Sequence, residues 1–472
     1  MAVLLGAGCG AAPPRAATDS LPTTLTIGLG LAPGESAGAG IASTVRNLAF
    51  EGLVAFLPNG RPDGRIAESW VSTADGRALR VKLRRGTFHD GEPVTAAAIQ
   101  QILERELPDY LSTPYEDVES IAVVAEDEIE FRLKRPSTFV IESLDLAISK
   151  PGDTPIGSGP FRPVGPSEAR TEVEMLAHAG HYGGKPSIDR LVVKSYPYVR
   201  SAWADMLRGE VDMLYDVGVE ARDSLASSKR VEVFAFQRPY AYTVILNTNT
   251  PALRNASIRR ALNFAVDRDE LIGSALRGHG APAEGAVWPL HWAYSRAAPT
   301  FTYKPQNLAG LKFRCIYGDS THERLALALE QQLRAVGVDV ILEALSTDEF
   351  LRRLTTGNFE AALIDVANGP LVRPYWFWHS DGRYNYAHFS SKEVDAAFDQ
   401  IQHATTDSAY QAGVAAFQQA IFDNPPGVFL AWSERARAVS TRFEVRAEPG
   451  RDVLSTLRLW RPSADKPLEN TN

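Results

Sequence analysis

The sequence is poor in cysteine: its 472 residues contain only two, Cys9 and Cys315. Two cysteines in so long a chain cannot provide the network of cross-links that stabilises small secreted scaffolds, so apolar cores must hold the fold. The chain also lacks any uncharged apolar run of the ~18 residues that a membrane-spanning helix requires. These absences exclude a disulfide-rich scaffold and a multispanning membrane protein.

Basic residues are too few to outweigh the acidic ones. The chain has 49 Lys and Arg against 57 Asp and Glu, which leaves a net charge of −8. A mildly acidic surface repels phosphate backbones, so we predict no nucleic-acid partner. Apolar residues make up 44% and charged residues 22% of the chain, as in ordinary globular proteins, which excludes a disordered chain. The length predicts two or three domains.

The first nine residues, MAVLLGAGC, form a short apolar run that ends in small residues before Cys9. This pattern is typical of the end of a bacterial lipoprotein signal, which is cleaved before the cysteine, whose thiol is then acylated. The basic start of such a signal is missing, and Gly6 stands where the pattern usually has Leu. We predict that residues 1–20 are a signal remnant and linker and that Cys9 is the lipidation site; the alternative is an inert cysteine in a frayed terminus.

The second half of the chain predicts alternating strands and helices. Three apolar stretches indicate strands, at residues 311–317, 338–342 and 360–365. Apolar side chains at helical spacing fill the first interval up to Gly337, and a second helix ends at Gly357. This order predicts a βαβαβ unit with parallel strands. Ligands bind beyond the carboxyl ends of such strands, which here means just after Asp365.

The first half of the chain has a different pattern. Residues 78–84, 121–124 and 129–133 alternate between apolar and polar side chains. This alternation is typical of antiparallel strands with one exposed face. We therefore predict a separate α+β subdomain in this part of the chain.

Two motifs could suggest catalysis or metal binding. Ser36 stands in a Gly-x-Ser-x-Gly sequence, the pattern of a hydrolase nucleophile, but the ~30 residues before it cannot supply the oxyanion-binding loop that this arrangement needs. His178 and His181 are close in sequence, yet no further ligand completes a recognised metal pattern around them. We predict no catalytic activity, no bound metal and no cofactor.

An aromatic run lies just past the third predicted strand, where a ligand is expected. It consists of Tyr375, Trp376 and Trp378 and follows Arg373. Such rings form either an apolar core or the wall of a binding site. The sequence leaves both interpretations open.

Several longer motifs follow one another along the chain. The most specific is LRRGTFHDGEPVT at residues 83–95. Others are FEGL at 50–53, IAESW at 66–70, GSGPF at 157–161, HYGGKP at 181–186, IRRALN at 258–263 and GNFEAAL at 357–363. In order and spacing, from about residue 24 to residue 461, the chain resembles the peptide/nickel-type solute-binding proteins of bacterial ABC importers, family 5.

The resemblance implies an α/β fold: a two-lobed periplasmic-binding-protein clamshell, type II-like, with an extra α+β subdomain in lobe 1. Residues 21–50 and 156–247 would form the core of lobe 1, residues 51–155 the extra subdomain, and residues 248–430 lobe 2. Residues 431–472 would return to lobe 1 and end in a tail. The two crossovers between the lobes are expected near Asn247 and Ala431.

The resemblance also implies a function, which is to bind a peptide or peptide-like solute between the lobes and deliver it to the permease of an ABC importer. Such a protein works in the periplasm or at the cell surface, as a monomer that touches the membrane only through a lipid anchor. The candidate ligand-binding residues are Tyr240, Asn247, Asp365, Asn368, Arg373, Tyr375, Trp376 and Trp378.

Two alternatives remain open. The same fold serves as the sensing domain of cytoplasmic regulators, although the ~20 residues before Thr24 are too few for a DNA-binding helix-turn-helix. The solute could also be an opine, a sugar or a metal chelate, since members of the family carry these as well.

The sequence departs from the family where peptide binders hold the amino group of their ligand. Gly369 replaces the aspartate that pairs the ammonium, and Val366 replaces a common Trp. A buried ammonium without a counter-charge is costly. We therefore predict weak binding of free-amine dipeptides and a preference for an aromatic or cationic ligand surface held by the aromatic run, unless Asp365 or Asp381 replaces the missing anchor.

Overall fold

The computed structural model describes residues 23–30, 37–152, 155–165, 171–219, 221–318 and 320–464. Cys9 and Ser36, which the sequence analysis singled out, lie outside these ranges. Among the helices in these ranges, none combines the length and the apolar character needed to cross a bilayer.

The chain first forms one strand and one helix and then enters a small separate sheet. The elements are β1 (Thr24–Gly30), α1 (Ala37–Ala49), β2 (Val54–Phe56), β3 (Pro62–Gly64), β4 (Ala67–Ser72), β5 (Ala78–Leu83), α2 (Ala96–Leu111), β6 (Val118–Ala125), β7 (Glu128–Leu133) and α3 (Thr138–Glu142). Strands β4, β5, β7 and β6 pair antiparallel in that order. This is the antiparallel, half-exposed sheet that the alternating sequence pattern predicts.

The chain then returns to lobe 1. The next elements are β8 (Phe161–Pro163), β9 (Glu172–Ala177), β10 (Arg190–Tyr196), α4 (Val199–Arg208), β11 (Met213–Leu214), α5 (Arg222–Ala226) and β12 (Val231–Leu246). Strand β1 pairs parallel with both β10 and β11. Its buried side chains Leu25, Ile27 and Leu29 pack with α1 in the core of this lobe.

Lobe 2 contains the predicted alternating elements. They are α6 (Ala256–Phe264), α7 (Arg268–Leu276), β13 (Gly280–Pro282), β14 (Lys312–Tyr317), α8 (Ser320–Ala335), β15 (Asp339–Ala344), α9 (Thr347–Thr355), β16 (Ala361–Ala367), α10 (Val372–Trp378), α11 (Lys392–Gln402) and α12 (Asp407–Asp423). The chain then passes from lobe 2 back to lobe 1 through β17 (Gly427–Ser440) and ends with β18 (Phe443–Glu444) and β19 (Arg461–Pro462). Strand β14 pairs parallel with β15 and β16, which confirms the βαβαβ unit. Gly337 and Gly357 follow α8 and α9 with φ angles of 89° and 68°, a left-handed conformation that suits glycine at a helix end.

One sheet runs through both lobes. Its strand order in the described part is β15-β14-β16-β12-β17-β11-β1-β10-β9-β8, and β13 pairs with β17. Strands β12 and β17 are long and antiparallel to each other: residues 231–237 pair with 434–440 on the lobe 1 side, and residues 241–245 pair with 427–432 on the lobe 2 side. Both crossovers between the lobes therefore lie within these two strands.

The pairing of β12 with β17 is interrupted between Gln237 and Ala241. Pro239 lies in this interruption and has no N–H group to donate to the neighbouring strand. The sequence analysis expected the first crossover near Asn247. In the structure it comes earlier in the chain, because β12 continues into lobe 2 as far as Leu246. In β17 the corresponding segment is residues 432–434, between the two paired stretches.

The extra subdomain shares an apolar core with lobe 2. We call this cluster the shared core; it includes Ile99 and Phe139 from the subdomain and Trp378, Phe398 and Phe417 from α10, α11 and α12. The core of lobe 1 around β1 and α1 is a separate cluster. The subdomain is therefore inserted into the chain of lobe 1 but packs its apolar side chains against lobe 2.

Cys315 lies in β14, inside a second core of lobe 2. Its thiol is free and 1% exposed. Burial raises the pKa of this thiol to about 12. The cysteine therefore serves as a small apolar side chain.

Candidate functional site

A cavity of about 800 Å³ lies between the lobes. This volume falls in the range of roughly 300–1,000 Å³ that is usual for pockets that enclose small ligands. Its walls come from residues 47–65 near the junction of lobe 1 and the subdomain, from residues 235–240 of the crossover, from residues 367–373 of lobe 2 and from residues 450–458. The cavity opens just beyond the carboxyl end of β16, where parallel strands of this topology bind ligands.

The interrupted part of β12 forms one wall. Gln237, Arg238, Pro239 and Tyr240 all line the cavity. The carbonyl of Pro239 accepts a hydrogen bond of 2.6 Å from the backbone N–H of Asn368, which ties the crossover to the loop after β16. The guanidinium carbon of Arg238 lies 4.0 Å from the centroid of the Tyr240 ring. The backbone around Pro239 thus loses its pairing with β17, and the side chains of this segment line the cavity.

Arg373 lines the cavity from α10 but is already engaged by the extra subdomain. Its guanidinium donates to Asp145 at 2.5 Å and to the hydroxyl of Tyr110 at 2.6 Å. It also lies 4.6 Å from the Trp376 ring centroid. Burial lowers the pKa of Arg373, but Asp145 and the two nearby tyrosines more than offset this, so the guanidinium stays charged. Arg373 therefore joins lobe 2 to the subdomain through contacts within the protein.

Behind this wall, Glu142 of α3 is buried against lobe 2. Its carboxylate accepts hydrogen bonds from the Tyr410 hydroxyl at 2.6 Å and from the backbone N–H of Val372 at 2.8 Å. Burial raises the pKa of Glu142 to about 7, although these hydrogen bonds oppose the shift. The side chain is thus a titratable group within the interface between the subdomain and lobe 2.

Of the eight predicted ligand-binding residues, Tyr240 and Arg373 line the cavity. The other six lie outside its lining. They are Asn247, Asp365, Asn368, Tyr375, Trp376 and Trp378.

Asn247 lies at the wrong end of the sheet for ligand binding. Its amide donates to the carbonyls of Gly357 and Phe359, at 3.2 and 2.8 Å. These carbonyls precede β16, whereas the cavity lies beyond the opposite end of that strand. Because β12 and β16 are antiparallel, the end of β12 meets the start of β16. Asn247 therefore stabilises a turn.

The two carboxylates proposed as substitute anchors also lie elsewhere. Asp365 pairs with His322 at 3.0 Å, on the side of β16 that faces α8. Asp381 is exposed in the loop after α10 and does not line the cavity. Asn368 is 1% exposed and donates through its side chain to the carbonyl of Val366. None of these three side chains is placed to bind an amine in the cavity.

The aromatic run is part of the shared core. Tyr375, Trp376 and Trp378 are 3%, 4% and 1% exposed. The Tyr375 ring packs edge-on against Phe139 of the subdomain, with the ring centroids 5.4 Å apart. Since α10 is buried between lobe 2 and the subdomain, these three rings have no face left for a ligand. The arrangement gives the predicted aromatic ligand wall no support.

Sequence reasoning missed several charged residues that face the cavity, among them Glu51, Arg238 and Glu434. Glu51 belongs to the FEGL motif at residues 50–53, and its carboxylate interacts with His181 Nε2 at 3.0 Å. Arg238 could have been noticed as the residue before a proline within an otherwise apolar strand pattern. Around His178 and His181, as elsewhere in the described ranges, no group of three or more His, Cys, Asp or Glu is placed to hold a metal ion.

Comparison with known proteins places these features in a family. The family model "Bacterial extracellular solute-binding proteins, family 5 Middle" matches residues 61–387. The chain is 24% identical to the glutathione-binding protein GsiB of Pectobacterium atrosepticum, with 85% of this chain and 86% of that protein covered.

Two solved structures share the fold. The oligopeptide-binding protein AppA from Bacillus subtilis, in complex with a nonapeptide, matches with a TM-score of 0.78 and 19% identity over 94% of this chain and 100% of that one. NikZ from Campylobacter jejuni, in complex with Ni(L-His), matches with a TM-score of 0.79 and 20% identity over 93% and 99%. The predicted two-lobed α/β clamshell is confirmed. Because the family model covers more than half of its residues, the chain belongs to family 5 of the bacterial extracellular solute-binding proteins.

Proposed function

We propose that this protein is the solute receptor of an ABC importer: it binds a peptide or peptide-like solute between its lobes and delivers it to the permease. The observation that carries the proposal is the cavity of about 800 Å³, whose walls come from both lobes and from the strands that connect them. A solute in this cavity contacts both lobes only when they are together, so it favours the closed arrangement. The protein itself catalyses no reaction.

The peptide class is supported by the names of similar proteins, one of which is glutathione-binding and another oligopeptide-binding. The NikZ structure contains Ni(L-His), so a metal chelate is the solute to be tested against peptides. We further propose that the protein works outside the cytoplasm as a monomer and is held at the membrane by acylation of Cys9. They are supported by the similarity to family 5 and by the apolar run that ends at Cys9.

Native mass spectrometry tests the solute class. The protein is unfolded to remove retained solute, refolded and incubated with a randomised tetrapeptide library or with Ni(L-His). We expect mass increments that correspond to peptides, and a smaller radius of gyration by small-angle scattering at saturation. Tyr240→Ala should weaken peptide retention, since its ring lines the cavity.

Tyr303→Ala is the matched control, because Tyr303 is 54% exposed and lies outside the cavity lining. Retention of Ni(L-His) without retention of any peptide would overturn the peptide class. An unchanged radius of gyration with bound peptide would contradict closure.

A further inference from the structure

The carboxylates that line the cavity already have donors within the protein. In the described part of the chain the lining contains four: Glu51, Asp145, Glu434 and Asp452. Glu51 bonds with His181 and Tyr182, Asp145 with Tyr110 and Arg373, Glu434 with Arg222 and His279, and Asp452 with Arg437. An ammonium group that entered the cavity would have to compete with these donors for each carboxylate.

The arginines that line the cavity do not all have partners of opposite charge. They number five in the described part of the chain, and three of them have carboxylate partners: Arg65, Arg373 and Arg451. Arg458 donates to the carbonyl of Gly183. Arg238, which is partly buried, has no carboxylate within ion-pair distance among the described residues. In the described part of the chain, Arg238 is therefore a positive charge in the cavity that no carboxylate neutralises.

The geometry of Arg238 suits the binding of an oxyanion. Its guanidinium is held over the Tyr240 ring, with 4.0 Å from the guanidinium carbon to the ring centroid. Stacking of one face on an aromatic ring leaves the N–H groups at the edge of the guanidinium available. These N–H groups form the planar fork that binds a carboxylate through two parallel hydrogen bonds. Pro239 restricts the backbone beside this arginine, which reduces the entropy lost when a ligand is bound.

Open space lies beside Pro239, the residue that follows this arginine. A Cβ atom added to Gly369 would meet a single heavy atom within 4 Å, Pro239 Cγ at 3.8 Å, an ordinary contact distance. Gly369 is also absent from the glycines with positive φ, so its backbone accepts other residues. No side chain therefore extends from position 369 to screen the charge of Arg238.

We propose that the cavity selects solutes by a carboxylate group, that Arg238 binds this carboxylate, and that a charged amino terminus is not required. The proposal rests on the proposed function and names the chemical class within it: peptide-like acids, including those whose amino end is blocked.

The experiment uses a randomised tetrapeptide library prepared with four combinations of ends: free amine or acetyl at the start, and free acid or amide at the end. Native mass spectrometry of the refolded full chain measures occupancy, and titration calorimetry of a retained acetylated peptide acid gives its Kd. We expect both free-acid libraries to be retained and both amide libraries to be lost. Arg238→Gln should raise the Kd by about tenfold or more.

Matched variants separate the charge at this site from other effects. Arg200→Gln makes the same charge change at an exposed position outside the cavity, and the Kd should change by less than about twofold. Gly369→Asp places a carboxylate next to the crossover and should raise the Kd by about tenfold, whereas the isosteric Gly369→Asn should raise it by less than about threefold.

Two results would overturn the inference while leaving the proposed function intact: retention of the free-amine amide library at the level of the acid libraries, or an unchanged Kd in Arg238→Gln. Failure of all four libraries to bind would instead contradict the peptide class itself, and the carboxylate inference with it.

Discussion

The extra subdomain has two neighbours, and its contacts with them differ in chemistry. Toward lobe 2 it contributes Phe139 and other apolar side chains to the shared core, with Glu142 buried among them. Toward lobe 1 it makes polar contacts as well: the Thr87 hydroxyl lies 3.0 Å from His178 Nε2, and His89 Nε2 lies 3.0 Å from the carbonyl of Gly159. The position of a segment in the chain therefore does not indicate which lobe it packs against.

This difference matters because apolar burial and polar contacts contribute to stability on different scales. A hydrogen bond adds about 1 kcal/mol net, whereas a large buried side chain adds several times as much. The interface between the subdomain and lobe 2 should therefore dominate the stability of the arrangement described here. Three substitutions across this interface test that conclusion.

The largest effect is expected for Phe139→Ala. Phe139 is fully buried in the shared core and contacts Tyr375 across the interface. Its truncation should lower the free energy of unfolding by about 3–5 kcal/mol, measured by urea denaturation. Val124→Ala is the control, because Val124 is 47% exposed on β6 of the same subdomain. Similar losses in both variants would contradict the dominance of the shared core.

A smaller, pH-dependent effect is expected from Glu142. Burial raises the pKa of this carboxyl to about 7 in the folded protein, above its ordinary value of 4.5. A group with a raised pKa stabilises the fold below its unfolded pKa, and this contribution is lost as the pH rises through 7. We expect Glu142 to contribute roughly 2–3 kcal/mol more at pH 5 than at pH 8.

The measurement is the difference in unfolding free energy between the parent and Glu142→Gln from pH 5 to pH 8. The difference is needed because burial also lowers the pKa values of His89 and His291 to about 4. These two histidines therefore destabilise the fold as the pH falls, and in the parent protein alone they would mask the effect of Glu142 on the free energy of unfolding. A difference that does not vary with pH would refute the assignment to Glu142.

The smallest effect is expected at the edge of the same interface. Arg61 of the subdomain pairs with Asp407 of α12 at 2.5 Å, but the two side chains are 40% and 65% exposed. Asp407→Asn should therefore cost less than about 1 kcal/mol, and the cost should shrink in high salt. Urea denaturation at two NaCl concentrations checks both statements. If Asp407→Asn lowered the free energy of unfolding as much as Phe139→Ala does, and equally at both salt concentrations, the exposed ion pair would be as important to stability as the shared core.

The sequence predicted the βαβαβ unit well because its signals are local. Strands rich in β-branched residues, apolar side chains at helical spacing and a glycine after each helix are all properties of short stretches. The antiparallel strands of the subdomain were predictable for the same reason. What the sequence could not show is that the subdomain core merges with lobe 2, because that depends on contacts between segments more than two hundred residues apart, such as Glu142 with Tyr410.

The candidate site was harder to predict. Tyr375, Trp376 and Trp378 have the composition of a binding wall, and only the packing of α10 on both sides shows that they are core residues. Arg238 gives no motif, since its exposure to the cavity depends on where the pairing of β12 with β17 is interrupted. Tyr240 and Arg373 line the cavity, and their role as ligand-binding residues stays a prediction; the engagement of Arg373 by Asp145 is a tertiary contact that no sequence pattern shows.

The burial of Cys315 has a practical consequence for labelling. Its thiol is inaccessible and, with a pKa near 12, almost entirely protonated at neutral pH, so thiol reagents that need an exposed thiolate will not modify it in the native protein. The sequence contains one other cysteine, Cys9. Maleimide modification of the native full-length chain therefore reports on Cys9 alone, and it distinguishes a free thiol from an acylated one without any substitution.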